Sequence, residues 1–239
     1  MEALAQHAAR LRRTVPWCAA LSEEAYQQYV LCPRVNDEDL SDHRALFHSL
    51  LWERVRGLDE EEAVQQVNCW CQEHASYQAQ DGRTASPLTV FRCGSGRCGE
   101  ESAFLVAALR SVGLPARQVY APRWSHCDDN HAWVEVLCHG RWRFLGACEP
   151  EPVLDRGWFN TAASRAMLVH SRTFGPAEDT KLHGPALDRQ GQAVRHNQTA
   201  RYAPVKTYTF RTQPGAKVSL EILNESRPVS YTHLTLPTN

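Results

Sequence analysis

A glycine-rich loop that ends in a cysteine and runs into an apolar segment constrains this chain more than any other feature. The loop covers residues 94–99 (GSGRCG), and apolar residues recur at helical spacing in the segment 103–112. Glycines allow a tight turn, so a buried helix is predicted to begin at Cys98. The positive end of a helix, with Arg97 beside it, predicts a lowered pKa for the Cys98 thiol. Because thiolate is the nucleophilic form, a nucleophile is favoured over a buried structural cysteine.

Two later segments place a histidine on a β-hairpin. Residues 130–136 (NHAWVEV) alternate like a strand that begins near His131, and residues 141–146 (RWRFLG) are predicted to form the next strand. A cysteine at a helix start followed by a histidine on a hairpin strand resembles the core of the transglutaminase-like superfamily, as found in bacterial transglutaminase-like domain proteins. The segments GRCGE, RW and ACE also resemble peptide N-glycanases. The resemblance extends over about residues 92–174.

This resemblance implies an α+β fold with a papain-like, transglutaminase-like core. A helical N-terminal part would precede a catalytic cysteine at a helix start, packed on a small antiparallel sheet. By the same resemblance Cys98 is the nucleophile and His131 takes its proton. Tryptophans often line the cleft in this superfamily, so Trp124 is expected either to line the cleft or to be a buried aromatic anchor. Gly99 and Asn130 are the further candidates for substrate or oxyanion contacts.

The third catalytic position departs from the family pattern. The family places an Asp four residues after the tryptophan of the second strand, and this chain has Gly146 there. Glu149 matches a glutamate that follows the Asp position in the glycanase-like branch, so we expect Glu149 to orient His131. The sequence leaves other orienting groups open, namely Asp129, the Asn130 side chain and a backbone carbonyl. It also leaves open a Cys–His dyad without an orienting group.

The length of the hairpin loop decides which residue faces His131. A two-residue loop at His139-Gly140 would put Cys148 opposite His131 and turn Glu149 to the other face, unless the strand bends at Pro150. A three-residue loop would put Ala147 opposite and make Glu149 the diagonal neighbour, within reach of the imidazole.

The expected chemistry is acyl transfer through a thioester on Cys98. The substrate would be an amide of a protein or peptide, resolved by water in a hydrolase, amidase or protease, or by an amine acceptor in a transferase. No cofactor or resident metal is expected. The alternative function is a catalytically inactive domain that binds peptide or glycan in the same cleft. A metal site at residues 126–128 (HCD) is a weaker alternative, because the spacing matches no zinc pattern.

Composition excludes several functional classes. The chain has 26 Lys and Arg against 27 Asp and Glu, so no basic surface predicts nucleic-acid binding. No apolar run is long enough to span a membrane, and no signal-peptide apolar region follows Met1. The nine cysteines are an odd number without disulfide-framework spacing, which favours a reducing, cytoplasmic compartment.

Five segments are predicted along the chain. Residues 1–80 are helical, residues 81–175 are the catalytic core with a loop over 82–91, and residues 176–200 are a linker with solvated histidines at 183 and 196. Residues 201–228 contain a β-hairpin, with strands at 203–211 and 216–223, which would either add to the preceding domain or begin a longer β-domain. Residues 229–239 resemble translated adapter sequence at the end of a metagenomic reading frame, so they are excluded from the fold prediction and the natural protein is expected to be longer.

Overall fold

The computed structural model describes residues 2–79, 84–206, 211, 213, 217–224 and 227–235. The chain divides into two compact units, Met1–Pro204 and Val205–Asn239. The first unit has an α+β architecture with N-terminal helices and a six-stranded antiparallel sheet. Among the described residues, no helix combines the length and the apolar character needed to cross a bilayer.

The N-terminal part is helical, as the sequence predicted. It contains α1 (Glu2–Thr14), α2 (Pro16–Ala19), α3 (Glu23–Tyr26) with a π-helical continuation (Gln27–Leu31), α4 (Arg44–Val55) and α5 (Glu60–His74). Local caps explain where these helices begin. Ser22 accepts a hydrogen bond from Ala25 N, and Asp59 forms a capping box with Glu62.

A short parallel pair of strands precedes the central helix. The strand β1 (Ser76–Tyr77) pairs with β2 (Ser95–Gly96), and α6 (Pro87–Cys93) lies between them in sequence. The predicted loop over 82–91 is therefore wrong from Pro87 onward. Ser86 caps α6, and Pro87 fits its first turn because an N–H there needs no helical partner. Gly94 ends α6 with a left-handed φ of +70°.

The central helix α7 (Cys98–Ser111) is buried along nearly its whole length, and every residue from Glu100 to Ser111 is buried. One side of α7 packs on α4, α5 and α6, and the other side packs on β3 and β4 of the sheet. A helix that is covered all round cannot rotate or slide without opening the core. The position of its first residue is fixed accordingly.

The sheet is larger than the small sheet that the sequence predicted. Its order is β5-β4-β3-β6-β8-β7, formed by β3 (Ala116–Ala121), β4 (His131–Cys138), β5 (Arg141–Leu145), β6 (His170–Phe174), β7 (Ala186–Gln190) and β8 (Ala193–Asn197). The short helices α8 (Asn160–Ala163) and α9 (Thr180–His183) and a 3₁₀ turn (Thr199–Arg201) connect or follow these strands.

The segment 176–200, predicted as a linker, instead supplies α9 and two strands of this sheet. The prediction that His183 and His196 are solvated is wrong, since both are buried. His183 lies 2.6 Å from the Tyr29 hydroxyl and 2.7 Å from a Glu24 oxygen, and His196 lies 2.8 Å from the Thr173 hydroxyl. Buried imidazoles with such partners are structural.

The hairpin between β4 and β5 has a two-residue loop. His139 and Gly140 both have positive φ, 48° and 73°, as a type I′ turn requires. The pairing of Val134 with Leu145 is the last of this ladder, so β5 ends before it reaches the level of His131. The chain then turns tightly, and Gly146 forms a bridge with Glu149.

The second unit contains a hairpin formed by β9 (Lys217–Asn224) and β10 (Arg227–Thr235). The predicted strand 216–223 nearly coincides with β9. Its partner is β10, in a segment that was mostly left out of the fold prediction, and residues 203–206 are not in a strand. Residues 207–210 of the other predicted strand, residues 212, 214 and 215 between the two predicted strands, and residue 216 at the start of the second lie outside the described residues.

A buried ion pair joins β3 to β4 behind the sheet. Arg117 and Glu135 are both inaccessible and approach to 2.6 Å, and Glu135 also accepts hydrogen bonds of 2.7 Å from Arg201 and Tyr202. The Arg117 guanidinium stacks 3.9 Å from the Trp142 ring centroid. The other hydrogen-bond partners of Arg117 are uncharged, so they could not replace the negative charge of the Glu135 carboxylate.

Glu135→Leu is expected to lower the free energy of unfolding by about 3–5 kcal/mol, because it leaves Arg117 buried without a carboxylate. Urea unfolding followed by fluorescence measures this. Glu73→Leu is the matched control, since it breaks an ion pair with Arg54 that is exposed. Equal effects of the two substitutions would contradict the assigned role of the buried pair.

Candidate active site

Cys98 lies between two cavities. The polar cavity, of about 250 Å³, has walls that include Gln118, Tyr120, His170 and Arg172. The acidic cavity, of about 570 Å³, has walls that include Tyr77, Glu101, Asp129, His131, Glu149 and Trp158. Cys98, Arg97 and Asn130 line both. The structure thus brings Cys98, His131 and Glu149, which are far apart in sequence, to one cavity.

The thiol pKa of Cys98 is raised above its ordinary value, which corrects the lowered pKa that the sequence predicted. Burial is the main cause, and the negative charge of Glu101 adds to it. Hydrogen bonds from the backbone of Ala132 and Gly99, together with the charge of Arg97, favour the thiolate but do not outweigh burial. The resting form at neutral pH is therefore the thiol.

His131 begins β4 and lies among aromatic rings. The ring centroids of Trp158, Phe159 and Trp133 are 4.7, 5.0 and 5.9 Å from the imidazole centroid. Burial lowers the pKa of His131 to about 4, partly opposed by Asp129. The imidazole is neutral near pH 7 and can accept a proton. Its Nε2 atom is buried and has no hydrogen-bond partner among the described residues.

Glu149 fills the space beside Gly146. A Cβ atom placed on Gly146 would lie 2.7 Å from Oε2 and 3.1 Å from Cβ of Glu149. The same Oε2 accepts a hydrogen bond of 3.0 Å from Trp158 Nε1. The carboxyl group thus reaches the region that a side chain at position 146 would enter, but from the other end of a tight turn. Burial raises the pKa of Glu149, and the Trp158 hydrogen bond opposes that shift.

Helix α5 fixes this turn through one buried amide. Asn68 Nδ2 donates to Gly146 O at 2.9 Å, and Cys148 N donates to Asn68 Oδ1 at 2.9 Å. Cys148 has a φ of +58°, a left-handed conformation that costs a non-glycine residue about 1–2 kcal/mol. The two hydrogen bonds to Asn68 offset that cost and hold the turn that carries Glu149.

Glu101 also lies in the acidic cavity, and no sequence pattern predicted it as a site residue. It follows Cys98 by three residues on α7, so the helical period places both on one face. Only 4% of Glu101 is exposed, and burial, Glu149 and Glu100 together raise its pKa to about 8. The signal available in the sequence was the spacing from Cys98. No pattern in the sequence indicated Trp158, because its position at the cavity depends on the turn at residues 146–149.

Residues 53–147 match the family model of the transglutaminase-like superfamily. This segment of the chain is therefore similar to the transglutaminase-like superfamily. The matched segment includes Cys98, His131 and Gly146, and it ends two residues before Glu149. No curated protein sequence matches the chain.

The chain is also similar to solved structures, each at 16% sequence identity. A proposed cysteine protease from Cytophaga hutchinsonii has a TM-score of 0.44, with 78% of this chain and 68% of the other covered. A proposed protease from Parabacteroides distasonis has a TM-score of 0.34, with 61% and 26% covered. A protein named as a TGase has a TM-score of 0.36, with 59% and 37% covered.

The remaining predicted site residues of the transglutaminase-like domain lie at different depths. Asn130 is exposed and Gly99 lines the polar cavity. The Gly99 carbonyl accepts a hydrogen bond of 2.9 Å from the Gln118 side chain. Trp124 is buried, and its ring stacks 6.4 Å from that of Trp133. Trp124 therefore packs as a buried aromatic group against β4, the strand that begins with His131.

The segment 126–128, considered as a metal site, is exposed. Arg123 pairs with Asp128 at 3.5 Å. Within the described ranges, no group of three or more His, Cys, Asp or Glu side chains is arranged to hold a metal ion.

Asn68→Ala is expected to lower the free energy of unfolding by about 1–3 kcal/mol, because it leaves buried backbone groups of the 146–149 turn unpaired. Denaturant unfolding measures the loss. Gln66→Ala is the control, since Gln66 is exposed on the same helix. A loss no larger than that of the control would show that Asn68 does not hold the turn.

Alkylation of Cys98 by iodoacetamide is expected to show a midpoint above the free-thiol pKa of about 8.5. Peptide mass spectrometry gives the rate at each pH. Arg97→Ala should move the midpoint further upward, because it removes a positive charge that favours the thiolate. Arg92→Ala, at an exposed position on α6, should leave it unchanged. A midpoint below that of a free thiol would contradict the effect of burial.

Proposed function

We propose that the transglutaminase-like domain is a cysteine enzyme that cleaves or transfers amide acyl groups of protein or peptide substrates. The observation that carries this proposal is the convergence of Cys98 and His131 on one cavity, with backbone hydrogen bonds directed at the sulfur. Cys98 at the first turn of a helix that packs on an antiparallel sheet also supports a papain-like arrangement of the site.

The first half of the reaction forms a thioester. His131 is neutral and accepts the Cys98 proton as the sulfur attacks the amide carbonyl carbon, because a raised thiol pKa disfavours a preformed ion pair. The backbone N–H of Cys98, at the positive end of α7, stabilises the negative carbonyl oxygen. The C–N bond then breaks, and His131 returns the proton to the departing amine or ammonia.

The second half resolves the thioester. Water attacks in a hydrolase, and His131 takes a proton from it. An amine attacks in a transferase, and a new amide forms. Both resolutions use the same residues, so the outcome depends on whether water or amine occupies the cavity when the thioester is present.

Glu149 is the carboxylate that we assign to the histidine. Gly146 supplies none, and the Glu149 carboxyl group fills the space beside it. A carboxylate in this cavity stabilises the imidazolium that forms when Cys98 loses its proton. The hydrogen bond from Trp158 keeps the carboxylate in place while the ring of the same tryptophan covers His131.

A catalytically inactive domain that binds peptide or glycan is the second candidate function. It is favoured by the unpartnered His131 Nε2 and the raised pKa of the Cys98 thiol. The exposed rings of Tyr77 and Trp158 at the acidic cavity would serve binding as well as catalysis.

Glutamine-containing peptides with hydroxylamine as the acceptor separate these functions. Ammonia release without hydroxamate indicates a hydrolase, and hydroxamate indicates a transferase. Cys98→Ala is expected to abolish product, because the acyl group has no acceptor sulfur. His131→Asn should lower the rate by about a hundredfold or more.

Cys93→Ala is the control, since Cys93 is an exposed cysteine five residues before Cys98. It should retain the wild-type rate. Peptides with scissile backbone amides are tested in the same way for protease activity. Peptide or glycan binding by the wild type, with no product from any substrate, would support the inactive domain.

A further inference from the structure

A set of hydrogen bonds ties the first turn of α7 to strand β3. Gln118 Nε2 donates to Gly99 O at 2.9 Å and to Ser102 Oγ at 2.8 Å. The Ser102 hydroxyl in turn donates to Cys98 O at 2.6 Å. Gln118 is thus linked through hydrogen bonds to Cys98 and to the residue that follows it.

These contacts fix the orientation of the Gln118 side-chain amide. A primary amide nitrogen has two hydrogens, and Gly99 and Ser102 accept both. Exchanging Oε1 and Nε2 would set Oε1 against the Gly99 carbonyl oxygen, and two acceptors do not form a hydrogen bond. The nitrogen therefore faces α7, and Oε1 is the hydrogen-bonding atom of this side chain that is left for another partner.

That oxygen is available to a ligand in the polar cavity. Gln118 is 8% exposed and lines this cavity together with Cys98. Its Oε1 accepts no hydrogen bond from the residues that the structure describes, and the atom is not sealed in the interior. An acceptor that is fixed beside Cys98 and has no donor is complementary to an N–H group of a ligand.

A hydrogen-bond donor lies on the same face of β3. Tyr120 follows Gln118 by two residues, so both side chains leave the strand on one side, and both line the polar cavity. Burial first, and then the charge of Cys98, raise the pKa of Tyr120, so its hydroxyl keeps its proton at neutral pH. An amide group presents the complementary pair, an N–H donor beside a carbonyl acceptor.

We propose that Gln118 selects the substrate amide, with its Oε1 accepting a hydrogen bond from the N–H of the amide whose carbonyl carbon Cys98 attacks. This assignment rests on the proposed function for its place in the reaction, but the hydrogen bond itself is measurable without turnover. An ester has an oxygen in place of that N–H group, so it brings a second acceptor against Oε1. The polar cavity therefore favours amides over esters of the same shape.

The same hydrogen bond would assist departure of the amine. Gln118 takes no proton from the nitrogen and only accepts its hydrogen bond. When His131 returns the proton to the nitrogen, the N–H groups become charged donors, and a charged donor forms the stronger hydrogen bond. Contact with Oε1 thus strengthens as the C–N bond breaks.

Calorimetric titration of the full chain carrying Cys98→Ala tests the hydrogen bond without catalysis. The first pair of probes is a peptide whose central glutamate carries either a side-chain N-methylamide or a methyl ester, which differ only in N–H against oxygen. The second pair differs in the same way at the central backbone amide. In at least one pair the amide is expected to bind about tenfold more tightly than the ester.

Gln118→Met, added to Cys98→Ala, should abolish this preference, because methionine has a similar shape and no amide oxygen. Gln190→Met is the matched control, since Gln190 is an exposed glutamine on β7, and it should retain the preference. A preference that survives Gln118→Met would overturn the assignment.

Ser102→Ala is the second variant, in case Gln118→Met fails to fold. It removes one of the two acceptors that hold Nε2, so the side-chain amide is free to turn and the preference should fall by about threefold. Affinity for the ester should not fall. An unchanged preference would overturn the assigned orientation of Gln118.

Equal affinities within both pairs would overturn the proposal, and so would the absence of binding by all four peptides. These results are distinguishable from failure of the proposed function. An amide preference in Cys98→Ala, with no product from the wild type, would leave Gln118 as a residue that binds amides and remove the enzyme. Product from the wild type without an amide preference would do the reverse.

Discussion

Burial of α7 on all sides is the constraint on which the site depends. The helix packs on α4, α5 and α6 with one side and on β3 and β4 with the other, so its axis and rotation are fixed by the core. Its first residue is Cys98, and β4 begins with His131. The sulfur and the imidazole are therefore held by two elements that are almost entirely buried. The same packing removes water from the sulfur, which is why burial dominates its pKa.

The carboxyl side of the site is held differently. Glu149 comes from a turn rather than from a strand, and the turn is kept by the Asn68 amide and by a left-handed residue at Cys148. Beyond Leu145, where the hydrogen-bonded ladder between β4 and β5 ends, the buried Asn68 amide takes the place of strand pairing. The arrangement combines a thiol fixed by core packing with an acidic group fixed by a few polar contacts. Those contacts set the position of Trp158, and thereby the cover over His131.

The sequence predicted the parts that depend on local rules. Glycine spacing and apolar periodicity predicted a helix at Cys98, and alternation predicted the strand of His131. The sequence left the register of the β4–β5 hairpin open between a two-residue and a three-residue loop, because His139 and Gly140 permit the shorter loop without requiring it. The linker prediction over 176–200 failed because its strands β7 and β8 are polar, and because β6, with which β8 pairs, lies earlier in the chain. The predicted lowering of the Cys98 thiol pKa was wrong, because burial raises that pKa and burial depends on tertiary packing that no local pattern contains.

An exchange of the carboxylate from position 146 to position 149, which the proposed role of Glu149 implies, couples the two positions in sequence space. A side chain at Gly146 would meet both Cβ and Oε2 of Glu149, and the latter is tethered by Trp158. An aspartate at position 146 alone would therefore crowd the turn, while removing Glu149 alone would leave the space beside Gly146 without a carboxylate. We expect the substitution at position 146 or the substitution at position 149 alone to be tolerated less well than the two together. Lineages on the two sides of this exchange would be separated by a fitness valley, crossed only by paired substitutions or through a small residue at 149.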